Sequence, residues 1–398
     1  MCFIPVCSML FCQLPGRFCF YMRTWRLVRV VTLLLLAVSY CEFFHYYMVL
    51  LLCTWPSVSS VQGFQSHPLR AMFIGDTHIL GSNAHWFDKL RREWMMTRSF
   101  QASMLIHSPD VVFVLGDLMD YGTESSSTEF EYHVQRFKRM FSTPFTTRTE
   151  IIVGNHDIGF HHMINDKRYE RFKEAFSAPS VRLISVKDVI FVMVNSMALH
   201  GDGCSFCKEA EDALKNIKWQ LKCSKGKLDQ EKVAEICEKL DIMNYSRPIL
   251  LQHFPLYRTS DSNCSTPDAA PLEEIDIPFR IKTDCLSKES TDLLFELLNP
   301  RLVVSAHTHH GCYRLHDNGI PEYTVASYNW RNKHNPTFFL AELTDQDFII
   351  NRCSLPDEHT VFTLYAIFAI LLVIVIIIPP KKQKPNLGKS FTPSNKDH

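Results

Sequence analysis

The sequence predicts an α/β layered domain with a mixed central sheet, set between two membrane-spanning helices. Three observations predict it. Short β-branched apolar runs alternate with helix-like stretches, polar metal-type residues stand directly behind those runs, and a long apolar segment lies toward each end.

Residues 71–74, 111–115, 151–153, 190–194, 249–251 and 302–304 are brief, apolar and β-branched, as suits strands buried on both faces. Between them, 86–106, 129–141 and 291–298 carry helical spacing. Near the end, 323–325, 338–343 and 348–350 follow closely and read as antiparallel strands. The core therefore spans about 69–354. The stretch 201–241 differs, with Cys204, Cys207, Cys223 and Cys237, many Lys and Glu, and little strand character. It reads as a helical surface insertion. The segment 259–283, rich in prolines and acids, reads as a long ordered loop.

The run 361–378 holds no charge and ends in Pro379, Pro380 and three nearby lysines. At about 1.5 Å per residue it nearly spans a hydrocarbon core. The segment 30–53 is less clean, because Glu42 and His45 fall near its middle. A carboxylate there costs about 2.5–3.5 kcal/mol, offset by surrounding leucines or by pairing with the other helix. A retained signal anchor is the favoured reading over a cleaved signal peptide. Arg17, Arg23, Arg26 and Arg29 precede the first span and lysines follow the second. Positive charge marks the cytoplasmic side, so 1–29 and 379–398 are expected to be cytoplasmic tails and 54–360 to be luminal.

Two sequons, Asn244-Tyr-Ser and Asn263-Cys-Ser, suit a secretory lumen as glycosylation acceptors. Eight cysteines after Cys53 form an even set that an oxidising compartment pairs. Cys204 and Cys207 form a C-x-x-C that suits redox chemistry, zinc or a structural disulfide, the last being favoured. The formal charge of the 398 residues is zero, with no basic run interleaved with aromatics. That excludes nucleic acid as a partner class.

The chemistry lies behind the strands. Gly75-Asp76-Thr77-His78 follows 71–74, and Gly116-Asp117 follows 111–115. Gly154-Asn155-His156-Asp157 follows 151–153, Gln252-His253 follows 249–251, and Ala306-His307-Thr308-His309 follows 302–304. Ligands of open α/β sheets bind outside the carboxyl ends of strands. Five strands ending this way aim oxygen and imidazole donors into one crevice. That donor set suits divalent first-row metals such as manganese, iron or zinc.

The series resembles the calcineurin-like metallophosphoesterases, whose motifs run D-x-H, G-D, G-N-H-D, H and G-H-x-H. The resemblance covers nearly all of the region between the spans and implies a four-layer α/β/β/α sandwich with mixed sheets. It further implies two divalent ions, manganese foremost. One would be held by Asp76, His78 and His309, the other by Asn155, His253 and His307, with Asp117 bridging. His156 would stand beside the scissile phosphate as a catalytic group, with Asp157 orienting it, and Arg331 could clamp a phosphate oxygen or form a surface ion pair. Ala306 departs from the glycine usual at that position, and Asp120 stands where the purple acid phosphatase branch has Tyr.

The stretches 41–44, 88–94, 154–160, 252–258 and 330–332 are most similar to the branch that remodels GPI anchors. That likeness implies removal of the ethanolamine-phosphate branch from the second mannose of the GPI glycan. GPI-anchored proteins would be the substrates, with cargo receptors of the early secretory pathway as further partners. The setting would be ER exit sites, the ER–Golgi intermediate compartment and the Golgi. The same centre could act on another membrane-associated phosphodiester or a pyrophosphate. A non-catalytic cargo receptor is disfavoured, because such proteins lose ligands and here all are present.

Overall fold

The computed structural model describes residues 16–56, 68–226, 237 and 243–378. Most of the two expected tails, and much of the second half of the 201–241 insertion, lie outside the described residues. The chain forms two units, Phe43–Thr360 and a helical one made of residues up to Glu42 and from Val361 onward.

In the helical unit, α1 (Gly16–Ser39) runs into a π-turn (Tyr40–Phe44), and α2 (His45–Leu51), which follows it in the chain, belongs to the other unit. Thr24–Leu51 and the C-terminal α9 (Glu358–Ile377) are each long and apolar enough to cross a membrane. These spans start earlier than the expected 30–53 and 361–378. The Tyr365 hydroxyl donates to Glu42, so the carboxylate near the middle of the first span has a polar partner.

The other unit holds two facing sheets rather than a single central one. The first has the order β11–β10–β1–β2–β3, built from β1 (Leu69–Ile74), β2 (Val111–Val114), β3 (Arg148–Ile151), β10 (Thr337–Leu343) and β11 (Phe348–Ser354). The second has the order β4–β5–β6–β7–β9–β8. Its strands are β4 (Val181–Val186), β5 (Val189–Val194), β6 (Ile249–Gln252), β7 (Leu302–Ser305), β8 (Cys312–Leu315) and β9 (Pro321–Thr324). Both sheets are mixed: β1–β2–β3 and β5–β6–β7–β9 run parallel, with antiparallel strands at the edges.

Alternate residues of the two sheets form one core. Leu69, Ala71 and Phe73 with Val111 and Phe113 meet Val189, Phe191 and Met193 with Ile249 and Leu251. Phe113 links the layers, stacked on Phe73 at 5.2 Å and touching Phe191 at 4.6 Å between ring centroids. A Lys187–Asp188 turn with φ of 47° and 63° closes the β4–β5 hairpin, the geometry that matches strand twist. Helix α3 (Trp86–His107) packs against α2 and α4 (Ser127–Met140), and α7 (Ser205–Ser224) against β4 and α8 (Lys288–Leu298). Ser126 caps α4 by accepting from Glu129 N at 3.2 Å.

Three expectations are corrected. Residues 323–325 do not pair antiparallel with 338–343, because β9 lies in the other sheet, parallel to β7. The third strand is 148–151, not 151–153, with the apolar residues running past its end. The eight cysteines after Cys53 do not all pair among themselves. Cys53 joins Cys353, Cys204 joins Cys207, Cys223 joins Cys237, Cys264 joins Cys312, and Cys285 is a free buried thiol.

Candidate metal centre

The parallel strands of both sheets end at one edge, and their next residues turn inward. Asp76 and His78 follow β1, Asp117 follows β2, and Asn155 opens the short helix α5 (Asn155–Ile158) after β3. His253 follows β6, while His307 and His309 follow β7. Asp76, His78, Asp117, His307 and His309 all take positive φ, between 41° and 75°. Non-glycine residues held there store local strain that the surrounding structure must impose. Neighbouring loops impose it here: Asp76 N donates to Gly116 O, His78 N to Asp117 O, and Ala306 N to His253 O.

Two donor sets result. Asp76, His78, Asp117 and His309 form the first, with His78 Nε2 3.2 Å from His309 Nε2 and 4.0 Å from Asp76 Oδ1. Asp117, His253 and His307 form the second. Asn155 Oδ1 joins it 3.1 Å from His253 Nε2, which lies 3.2 Å from His307 Nδ1. Asp117 Oδ2 belongs to both, 3.7 Å from His78 Nε2 and 3.3 Å from His253 Nε2. All residues expected as ligands are thus brought together.

The outer contacts fix which atoms face inward. His253 Nδ1–H donates to Leu115 O at 2.7 Å and His307 Nε2–H to Thr283 O at 2.8 Å, so the opposite ring nitrogen of each faces the centre. Asp117 Oδ1 accepts from His156 N at 2.8 Å, and Asp76 Oδ2 from His307 N at 3.1 Å. The remaining oxygens, Asp76 Oδ1 and Asp117 Oδ2, are buried without a hydrogen-bond partner. Buried polar atoms are normally paired, and these two point where cations fit.

The electrostatics agree. Burial holds His307 down to about 3 and His309 to about 4, and drives His78 well below its usual value, so these imidazoles are neutral, the ligating form. Burial and the crowding of Asp117 push Asp157 up to about 8, and burial pushes Asp76 up to about 7. Burial opposes charge on His253, but the Asp117 carboxylate outweighs it and lifts His253 to about 9. Dense buried carboxylate is relieved by positive charge. The residues present fit two divalent ions.

The residues around this centre differ partly from expectation. Asp157 does not reach the His156 ring. Its Oδ1 accepts from Leu118 N and Met119 N and its Oδ2 from Gly154 N, at 2.9–3.1 Å, clamping the β2 and β3 loops together. His156 is oriented instead by Asp120, whose carbonyl accepts from Nδ1 at 2.9 Å. Asp120 also pairs with Arg331 at 2.7 Å. Sequence reasoning gave Asp120 no role, though its place three residues after Asp117 was the available signal. The extra methyl of Ala306 is fully buried in the core, at negative φ, facing Gly75. Asn244 and Asn263 are both exposed.

Phosphoric ester hydrolysis on two metals is the chemistry this constellation defines. Residues 69–311 match the calcineurin-like phosphoesterase family, and the chain belongs to it. It is 45% identical over 346 residues to Metallophosphoesterase 1 of Rattus norvegicus, covering 86% of each chain. It is 44% identical over 358 residues to that of Gallus gallus, covering 88% of each. A dimetal phosphatase from Danio rerio aligns at TM-score 0.42 and 10% identity, over 73% of this chain and 100% of its own. The protein is a metal-dependent phosphoester hydrolase.

Proposed function

We propose that this hydrolase is a phosphodiesterase that removes the ethanolamine-phosphate branch from the second mannose of GPI anchors. The observation that carries the catalytic part is the sharing of Asp117 Oδ2 between two donor sets. Asp76, His78, Asp117 and His309 would hold one ion, and Asp117, Asn155, His253 and His307 the other, with Mn²⁺ suited to this mix of carboxylate, amide and imidazole. Two such ions, when bound, would supply Lewis acidity at a phosphoryl oxygen and lower the pKa of water toward neutrality.

The chain's own groups do the rest. His156, held through Nδ1, lines a cleft of about 490 Å³ with Phe160, Glu274, Phe279 and His309. Its Nε2 is free to stabilise charge on the phosphoryl group or to protonate the departing oxygen. Asp157 keeps the loop of His156 against that of Asp117. Arg331, tied to Asp120, is the candidate clamp for a phosphate oxygen.

The substrate assignment is supported by the motif likeness to the GPI-remodelling branch and by relatives that bear the name Metallophosphoesterase 1. Two apolar helices and basic residues outside them support a luminal domain anchored at both ends. Asn244 and Asn263 are the proposed glycosylation sites, and GPI-anchored proteins with their cargo receptors in the early secretory pathway the proposed partners. The test is mass spectrometry of GPI glycans from cells lacking this chain, complemented with wild type or His253→Ala. Retention of the branch in the knockout and the variant, and its loss with wild type, are expected. Equal glycans in all three would overturn the assignment.

A further inference from the structure

Of the four disulfides among the described residues, Cys204–Cys207 is the weakest staple. It spans 3 residues of sequence, against 14, 48 and 300 for the others. A bridge that closes so small a loop removes the least entropy from the unfolded chain. Its surroundings are those of a reactive thiol pair instead. Cys204 is the N-cap of the 20-residue helix α7, partly exposed, with the backbone N–H of Cys207 3.1 Å from its sulfur. Backbone N–H groups and the positive helix end stabilise a thiolate there. Cys207 is fully buried. Behind it stand Asp202 Oδ1 at 3.5 Å and His161 Nδ1 at 3.9 Å, and His161 Nε2 is held by Asp202 Oδ2 at 2.7 Å. His161 is further fixed by Met197 O at 2.9 Å and by stacking on His200 at 3.9 Å.

We infer that Cys204 and Cys207 form a second active centre that exchanges disulfides with thiols of other molecules. A client thiolate attacks the accessible Cys204 sulfur, forming a mixed disulfide, and the Cys204–Cys207 bond breaks. Cys207 leaves as a thiolate and takes a proton at sulfur, with the His161–Asp202 pair beside it to relay that proton. A second client thiol then attacks the mixed disulfide, releasing client disulfide and the Cys204 thiolate. Two electrons pass from the client dithiol to the C-x-x-C, and the reverse sequence reduces a client. The chemistry selects an exposed, flexible thiol or disulfide as client, with glutathione as the simplest one. The centre is separate from the phosphoesterase site and shares none of its ligands.

The experiment uses full-length protein titrated with reduced glutathione, with freed thiols alkylated and mapped by mass spectrometry. Cys204 and Cys207 should be labelled at glutathione levels that leave the other three pairs closed. If any other pair opens first, the inference fails. In Cys207→Ser, the pH profile of iodoacetamide labelling at Cys204 should have its midpoint at least about one unit below the 8.5 of an ordinary thiol. A midpoint nearer that value also overturns it. Unchanged circular dichroism and phosphoesterase turnover certify the variant as folded. Should it not fold, the wild-type titration alone decides.

Discussion

Asp120 and Arg331 form a 2.7 Å ion pair beside the metal centre. Asp120 Oδ1 lies 3.8 Å from Nδ1 of both His78 and His156, and Arg331 Nη1 lies 3.2 Å from His78 Nδ1. One carboxylate thus faces a donor of the first metal set, the candidate catalytic imidazole and the candidate phosphate clamp. Carboxylates in this position orient ligating histidines, and their loss typically costs about 10–100-fold in activity or metal affinity. Asp120→Asn should lower kcat/KM on a chromogenic phosphodiester within that range. In a double-mutant cycle with Arg331→Ala, the two sites should couple by about 0.5–3 kcal/mol. Strict additivity would mean that the pair is only a surface bridge.

Asp117 should be the most sensitive position. It is fully buried, serves both donor sets, and crowds Asp157. Asp117→Asn should cut turnover by more than the roughly 100-fold expected of an outer contact, while leaving the fold intact. A divalent ion at 100 times its Kd adds about 2.7 kcal/mol to stability, raising the melting temperature of the wild type by about 5 °C. In Asp117→Asn the metal-free protein should melt below wild type, since the charge on His253 loses the carboxylate that offsets its burial, and most of the metal-induced rise should vanish. Calorimetry with and without chelator checks both.

Two small residues at the centre should respond differently. A Cβ on Gly154 would stand 2.2 Å from Asp117 N and Oδ1. The backbone cannot yield by that much, so Gly154→Ala should destabilise by about 3 kcal/mol or more and cost metal binding. Ala306 already carries its methyl in the core without strained φ. Ala306→Gly should lose about 1–2 kcal/mol from the missing methyl and added backbone freedom, and keep its turnover. Chemical denaturation alongside metal titration separates the two cases.

What the sequence disclosed follows from burial. The central strands β1, β2, β5, β6 and β7 are buried almost throughout, so nearly every residue is apolar, and all of these runs but β5 point at a ligand behind them. The strands β4 and β8 went unread because both are sheet edges, and Val-Arg-Leu-Ile-Ser-Val and Cys-Tyr-Arg-Leu mix polar residues into half-buried patterns. β3 is an edge as well. Its Arg-Thr-Glu-Ile resembles loop, while the apolar residues after it line the approach to Asn155. β9 was seen but mispaired, since nothing local to Pro-Glu-Tyr-Thr states that its partner is β7. The ligands were legible because chemistry restricts their residue types. The contacts through Leu115 O, Thr283 O and Asp120 O were not, because any residue supplies a carbonyl.

The pairing of Cys53 with Cys353 shows the same limit and carries the last prediction. Counting only the cysteines after Cys53 gave an even set, yet the tertiary structure excludes Cys285 and recruits Cys53. Cys53 lies just past α2, and Asn351 Nδ2 donates to Thr54 O at 2.9 Å, which brings the segment against β11. Cys285 instead sits fully buried, its sulfur 3.4 Å from Arg258 O. The Cys53–Cys353 bridge spans 300 residues, and a loop of that size restricts the unfolded chain by about 5 kcal/mol. Cys353→Ser should therefore lower the melting temperature of the detergent-solubilised protein by about 10 °C. Cys285→Ser should cost about 1–3 kcal/mol, the price of a buried hydroxyl in place of a thiol. A non-reducing digest of the wild type should yield a peptide joining Cys53 to Cys353 and an alkylatable Cys285 after unfolding. If Cys285→Ser proved as damaging as Cys353→Ser, or if Cys285 resisted alkylation, Cys285 would belong to a bridge and the pairing would have to be redrawn.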